Sequence, residues 1–397
     1  MKKGWEKSCL REVATKIGSG ATPVGGEAAY KASGISLIRS LNVHDAGFRM
    51  KDLAFIDDQQ AAQLDNVVVE SGDVLLNITG ASVARCCIVP DELLPARVNQ
   101  HVSIIRPAKG RLLSRLLQYM LISHDYKSRL LGVGEAGGST RQALTKAQLQ
   151  DFQIEYPASL AEQQRIVGVL DEAFAGLATA QANAEKNLQN ARALFESHLQ
   201  SVFTKGSQSA AEGLGKGWTE KTLGSCCEQI FAGGDVPKDR LSQERTAKFS
   251  VPIYSNGEKN DGLYGFTDAA RVTKPSITVS ARGTLGFTAI RTEPFLPVVR
   301  LIVLVPDEKQ IMLSFLYYAV VGMDFGNTGT SIPQLTVPNF KESKLNVPSI
   351  SEQETIVAKL AALATETQRL ESLYQQKLDA LAALKKSLLH QAFSGAL

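Results

Sequence analysis

The sequence predicts an α+β chain of two mostly β domains, each followed by a long helix, the two helices forming an antiparallel coiled coil with pseudo-twofold symmetry. Three observations predict it. The line SLAEQQRIVGVL, Ser159 to Leu170, returns as SISEQETIVAKL from Ser349 to Leu360. Short β-rich runs bounded by Gly, Pro, Asn and Asp precede each copy. After each copy, apolar residues recur at alternating spacings of four and three for many turns, the pattern of a helix that pairs along one face.

The repeat is an ancestral duplication. From Glu162 to Phe203 and from Glu352 to Phe393 the copies align without a gap, keeping Leu170/Leu360, Leu188/Leu378, Ser197/Ser387 and Phe203/Phe393. Upstream, LTKAQLQDFQIEYP corresponds to LTVPNFKESKLNVP, and the only two tryptophans open matching phrases at Trp5 and Trp218. The offset falls from 213 (Trp5 to Trp218) to 190 (Glu162 to Glu352), so roughly twenty residues separate the copies in length. The divergence lies mid-half, where LIRSLNVHDAGFRMKDLAF and VPIYSNGEKNDGLYGFTD share almost nothing and read as different inserts on a shared frame.

Each element has a local reason. GDVLLNITG, VNQHVSIIRP, SITVSARG and FTAIRTEPF read as strands, and LLSRLLQYMLISHDYKSRLL as one helix. In the first long helix Ile166, Leu170, Ala173, Leu177, Ala180 and Ala184 form the stripe; in the second, Ile356, Leu360, Leu363, Leu370, Leu381, Leu384 and Leu388. Pro157 and Pro348 stand just before, with Ser159 and Ser349 or Ser351 as capping candidates. A helix of about 42 residues is roughly 63 Å long, so it serves as a spacer or a partner's surface. The first is Ala-rich and the second Leu-rich, which suits close packing of large against small side chains. The boundaries on this reading are 1–158 and 218–348 for the β domains, 159–205 and 349–397 for the helices, and 206–217 for a flexible linker. The expected closed arrangement puts one domain at each end of a helical rod.

Length and composition fit an ordinary soluble protein of two or three domains. With 43 basic and 40 acidic residues there is no polybasic tail, and net charge alone does not decide nucleic-acid binding. No signal peptide or membrane span is visible. Cys9, Cys86, Cys87, Cys226 and Cys227 have neighbour spacings unsuited to zinc and read as small buried residues in a reducing cytoplasm. Gly132, Gly134 and Gly137 spell a dinucleotide fingerprint but follow a helix instead of a strand, which argues for a loop. The five histidines show no triad or metal pattern; His101 is the one worth following. A base methyltransferase would need an S-adenosylmethionine loop and an Asn/Asp-Pro-Pro-aromatic segment, and a nuclease a carboxylate cluster with a lysine; the sequence has neither, and so predicts no enzyme and no metal site.

What it does have is loops rich in groups that reach base edges. Arg pairs with guanine and Asn or Gln with adenine, while Ser and Thr suit phosphates. The first-half candidates are Arg39 and Asn42 in RSLN, Thr79, Ser82 and Arg85 in NITGASVAR with Asn77 beside them, Asn99, Gln100 and His101 in NQH, and Ser139, Thr140, Arg141 and Gln142 in GSTRQ. The second-half candidates are Ser255 and Asn256 beside Tyr254, then Lys259, Asn260, Ser280, Arg282, Thr284, Thr328, Thr330, Ser331 and Gln334.

The stretches LTKAQLQDFQIEYPASLAEQQRIVGVLDEAF and IPQLTVPNFKESKLNVPSISEQETIVAKL resemble the junctions between recognition domain and conserved helix in type I restriction-modification specificity subunits, and the resemblance covers nearly the whole chain. It implies two target recognition domains, each reading one half of a bipartite site in double-stranded DNA. It further implies a helical ruler between them, two docked methyltransferase subunits and restriction subunits that join for ATP-dependent cleavage. The chain would be non-catalytic and cofactor-free, with S-adenosylmethionine in the methyltransferase and ATP and Mg in the restriction subunit. Carried onto this sequence, Glu162, Gln163, Ile166 and Leu170, with Glu352, Gln353, Ile356 and Leu360, belong to the helix and partner surface. The weak net charge departs from expectation and suggests that partners supply much of the phosphate contact. The competing readings are a two-module coiled-coil scaffold that binds no DNA, and a targeting chain of a related defence complex.

Overall fold

The computed structural model describes residues 2–135, 143–211, 218–282, 284–323, 325 and 335–397. They form two compact units, residues 1–184 with 376–397, and residues 185–375. Each therefore contains a stretch of both long helices.

In the first unit the strands are β1 Trp5–Cys9, β2 Ala14–Ser19, β3 Ile35–Ile38, β4 Val43–His44, β5 Gly47–Phe48, β6 Ala54–Ile56, β7 Val68–Val69, β8 Val74–Asn77, β9 Cys86–Ile88, β10 Ala96–Val98, β11 Val102–Pro107 and β12 Gln153–Pro157. The helices are α1 Leu10–Val13, α2 Asp58–Ala62, α3 Ser114–Ile122, α4 His124–Glu135, α5 Lys146–Asp151 and the start of α6, Leu160–Ala211. One sheet has the order β2-β11-β8-β9, a second β6-β3-β10-β7, and β1 pairs antiparallel with β12. In the second unit β13 Thr219–Thr222, β14 Cys227–Ala232, β15 Val251–Tyr254, β16 Leu263–Thr267, β17 Ser276–Val279, β18 Thr288–Arg291, β19 Leu296–Pro297, β20 Ile302–Pro306 and β21 Lys344–Val347 accompany α7 Leu223–Cys226, α8 Leu313–Val321, α9 Val337–Lys341 and α10 Ile350–Ser394. Its sheets repeat the plan: β14-β20-β17-β18, β16-β15-β19 and β13-β21.

The central sheet of each unit is buried on both faces, which is why VSIIRP and IVLVP read as continuous apolar runs without alternation. Period two still sorts the side chains. Val74, Leu76 and Ile105 join a core with the helices, while Leu75, Val102 and Ile104 meet the second sheet through Leu37, Ile38 and Val98. In the second unit Ile302 and Leu304 face the helical core and Val303 and Val305 face Phe295.

The mid-half segments read as unrelated inserts prove to share an element. β3 pairs parallel with β10, and β15 pairs parallel with β19, at the same place in each unit. At the exit from the edge strand Gly20 and Gly233 pass so close that an added Cβ would lie 1.7 Å from the Val98 carbonyl oxygen and 2.6 Å from the Pro297 carbonyl carbon. The predicted single helix is instead two, α3 and α4. Ser123 between them is extended (ψ 150) and its hydroxyl bonds the Met120 carbonyl at 2.6 Å, so the chain turns there. Gly132 and Gly134 lie in α4, and α6 continues to Ala211 because the single Gly206 costs only about 1 kcal/mol and does not stop a helix.

The long helices run antiparallel within each unit. Ile166 and Leu170 of α6 share a core with Leu389 and Ala392 of α10, and Phe393 stacks edge-on against Tyr126 at 6.2 Å. In the second unit Leu360 near the start of α10 is buried, while Phe203 of α6 packs edge-on against Phe315 at 5.5 Å. The helix that leaves one β domain thus ends in the core of the other unit, which explains why Phe203 and Phe393 are a retained pair.

Gln163 and Gln353 lock each helix start. Both are fully buried. The Gln163 Oε1 accepts the Leu113 amide at 2.9 Å, and its Nε2 donates to the Arg111 and Pro157 carbonyls at 2.9 and 2.8 Å. Gln353 repeats this with Met312 at 2.8 Å, Gln310 at 3.1 Å and Pro348 at 3.0 Å. Replacing either glutamine by leucine strands one buried amide and two carbonyls. Each variant is expected to lose stability by about 1–3 kcal/mol per stranded group, seen as a lowered Tm in calorimetry, while Gln164→Leu, on the exposed neighbour, leaves Tm unchanged. Leu389→Ala is expected to cost about 2–5 kcal/mol by opening the first unit's core, measured by denaturant unfolding.

Candidate nucleic-acid interface

In the first unit the loops after β8 and between β10 and β11 meet. The His101 carbonyl accepts the Ile78 amide at 3.0 Å, and the Thr79 hydroxyl lies 2.6 Å from His101 Nδ1. Thr22 donates its hydroxyl to the exposed Gln100 side chain, and Ala143 bridges Thr79. Thr79, Gln100 and His101 therefore form one polar group, with Ser82 and Arg85 half-exposed on the following turn.

Four first-half candidates are corrected. Asn42 is fully buried; its Nδ2 donates to the Arg49 and Lys51 carbonyls at 2.9 and 3.2 Å and its Oδ1 accepts the Arg39 amide at 3.0 Å, so it pins a loop. Asn99 is 5 % exposed and accepts the His101 amide at 3.0 Å, so it shapes the loop whose tip carries Gln100 and His101. Arg39 is held against Tyr30 by Glu27 at 2.8 Å and the Asp52 carbonyl at 2.6 Å. Asn77 is likewise buried, with its amide on the Ser40 carbonyl at 2.8 Å. Ser139, Thr140, Arg141 and Gln142, with Thr328, Thr330, Ser331 and Gln334, lie outside the described residues.

The second unit builds the same frame. The Ala281 carbonyl accepts the Leu335 amide at 3.3 Å, as Ile78 accepts Leu144 at 2.8 Å; Val298 donates to Tyr254 at 2.9 Å, as Asn99 donates to Ile38 at 3.0 Å. Arg282 thereby occupies the position of Thr79, and Val299 and Arg300 those of Gln100 and His101. Ser280 is buried and bonds the Gly257 amide at 3.0 Å, and Asn256 ties Val299 at 2.6 Å to Ala281 at 2.8 Å; both are corrected to framework residues. Ser255 is half-buried with its amide on the Gly262 carbonyl at 2.9 Å, whereas Lys259, Asn260, Arg282 and Thr284 are exposed.

Residues that sequence reasoning missed complete this surface. A cleft of about 890 Å³ is lined by Asp235, Lys238, Tyr264, Arg282, Val299 and Arg300 among others. Arg291, its side chain only 4 % exposed, lies 3.7 Å over the Tyr254 ring and bonds the Asp261 carbonyl at 2.7 Å, holding the turn in which Asn260 and Asp261 have φ of 51 and 56.

The residues carried onto a partner surface divide. Gln163, Ile166, Leu170, Gln353 and Leu360 are buried, and Ile356 packs on the second unit's core, so they face the chain's own domains. Glu162 pairs with Arg165 at 2.7 Å and Glu352 accepts the Trp218 indole at 2.8 Å.

Among the described residues no group of three His, Cys, Asp or Glu could hold a metal ion, and no helix is long and apolar enough to cross a membrane. Burial pushes the thiols of Cys87 and Cys227 up to about 12 and raises those of Cys86 and Cys226. Native chain at pH 8 is accordingly expected to alkylate far more slowly at these thiols than guanidinium-unfolded chain, as read by mass spectrometry. Because unfolded thiols ionise near about 8.5 and these do not, their contribution to stability is full below that pH and falls as pH rises toward about 12.

The model of the type I restriction modification DNA specificity domain matches this chain at residues 2–188 and 215–379. Two putative type I specificity subunits of Mycoplasma pneumoniae, S.MpnORF89P and S.MpnORF507P, are 38% identical over 152 residues and 36% over 141. The matches cover 37% and 36% of this chain and 45% and 38% of those proteins, so the chain spans less than half the length of either. A chain from structural work on complex assembly and conformational transition of the type I R-M system superposes with a TM-score of 0.81 at 18% identity, covering 100% of this chain and 99% of that one. The HsdS subunit of Thermoanaerobacter tengcongensis superposes at 0.65, also with 18% identity, covering 100% and 98%. These two share the fold.

Proposed function

The chain belongs to the type I restriction-modification DNA specificity family, and from that premise we propose that it is the non-catalytic sequence reader of such a complex. Each β domain reads one half of a bipartite site in double-stranded DNA. The paired helices set the spacing between halves and dock two methyltransferase subunits, to which restriction subunits add. S-adenosylmethionine would act in the methyltransferase and ATP with Mg in the restriction subunit; this chain's part is to bind and to position.

One observation carries the reading. Two copies of one β framework hold different side chains at the same loop positions: Thr79, Gln100 and His101 in one, Arg282, Val299 and Arg300 in the other. A frame retained while its tips diverge fits two half-sites of different sequence read by the same machinery. The near-neutral net charge supports a division of labour in which partners provide much of the phosphate contact.

Mobility shifts on random-sequence duplexes, with the full chain and its methyltransferase subunits, are expected to enrich a bipartite sequence, and methylome mapping to return the same site. A scaffold would enrich none. Four residues inserted in register into both helices add about 6 Å. That is one or two base-pair steps of roughly 3.4 Å, so the mapped spacer is expected to lengthen while both half-sites stay the same.

A further inference from the structure

We propose that the second β domain reads its half-site through the cleft of Lys238, Tyr264, Arg282, Val299 and Arg300, and that this half-site contains guanine. The inference rests on the DNA-reading function above and names the groups that perform it.

The backbone gives the first indication. Val299 and Arg300 have φ of 51 and 62, two consecutive left-handed residues without a glycine, one of them β-branched. Such conformations persist only where neighbours over-determine them, and they concentrate at binding sites. Here the Val299 amide donates to Gly234 at 2.8 Å, Asn256 donates to the Val299 carbonyl at 2.6 Å, and Leu301 donates to Val298 at 3.1 Å. Packing does not account for the strain, because Val299 is left 48% exposed and Arg300 exposed at the rim of the cleft.

The chemistry gives the second. Three cations, Lys238, Arg282 and Arg300, line the cleft with one acid, Asp235. Arg300 and Lys238 make no hydrogen bond or ion pair among the described residues, and Tyr264 stands 42% exposed beside them. A guanidinium donates two parallel hydrogen bonds to guanine O6 and N7, and an exposed valine suits a thymine methyl, whereas a lysine and a tyrosine hydroxyl suit phosphate.

Topology gives the third. Arg282 and Val299–Arg300 occupy the positions that carry Thr79 and Gln100–His101 in the first unit, so the same two loops would read both half-sites with different side chains.

The test compares wild type with Arg282→Ala, Arg300→Ala and Arg300→Gly in the full chain with its methyltransferase subunits, by duplex selection and methylome mapping, with Tm measured alongside. Both alanine variants are expected to relax discrimination at guanine positions of one half-site by on the order of 10-fold or more, leaving the other half-site and the spacer unchanged. Glycine accepts a positive φ without strain, so Arg300→Gly is expected to keep or raise Tm while relaxing the same position. An unaltered half-site in Arg282→Ala and Arg300→Gly, or a half-site without guanine, overturns the inference while leaving the reader function standing. Failure of wild type to select any bipartite sequence overturns that function, and this inference with it.

Discussion

The structure depends on a buried glutamine used twice. Gln163 and Gln353 each join three backbone segments: the strand that ends a β domain, the loop before a packed helix, and the first turn of a long helix. A side-chain amide with one acceptor and two donors satisfies three otherwise stranded groups at once, and in a fully buried site that geometry tolerates little substitution. It fixes the angle at which the helix leaves its domain. The glutamine of the repeated Glu-Gln motif is therefore an anchor of the chain to itself, with the exposed neighbours of the motif left to other surfaces.

From this anchor follows a frame that is indifferent to its loops. The central sheet is covered on both faces, so its strands are specified by volume and β-branching. The loops beyond the strand ends are held by backbone hydrogen bonds that do not depend on side-chain identity: Leu144 to Ile78 and Leu335 to Ala281, Asn99 to Ile38 and Val298 to Tyr254. Such bonds let Gln100–His101 in one unit become Val299–Arg300 in the other without disturbing the sheet. Divergence at the tips with constancy below them is what a chain needs if its two domains answer to different sequences and to the same partners.

The asparagines show the limit of residue-type reasoning. Asn42, Asn77, Asn99 and Asn256 have the chemistry to read adenine, and each spends it on backbone groups: Asn42 and Asn99 within their own loops, Asn77 and Asn256 on neighbouring loops. A loop that crosses a buried sheet edge leaves amides and carbonyls that water does not reach, and a short amide side chain is the residue that satisfies them. Base-reading capacity and loop-pinning capacity are the same hydrogen-bonding property, so sequence alone did not separate them. Gln100 and Arg282, by contrast, stand exposed on the tips of the loops.

The duplication, the two long helices, their antiparallel pairing and the family were all legible in the chain as written. They rest on periodicity and on a repeated motif, which are properties of sequence order. Two things were not legible. Strands β3 and β15 share a place without sharing residues, because a parallel pairing is set by the partner strand and the crossover. The cleft with its left-handed Val299–Arg300 turn brings together residues from 235 to 300, and only the closed sheet decides which of them meet and which face outward. Local order wrote the frame; long-range contact, which sequence spacing does not encode, chose the surface.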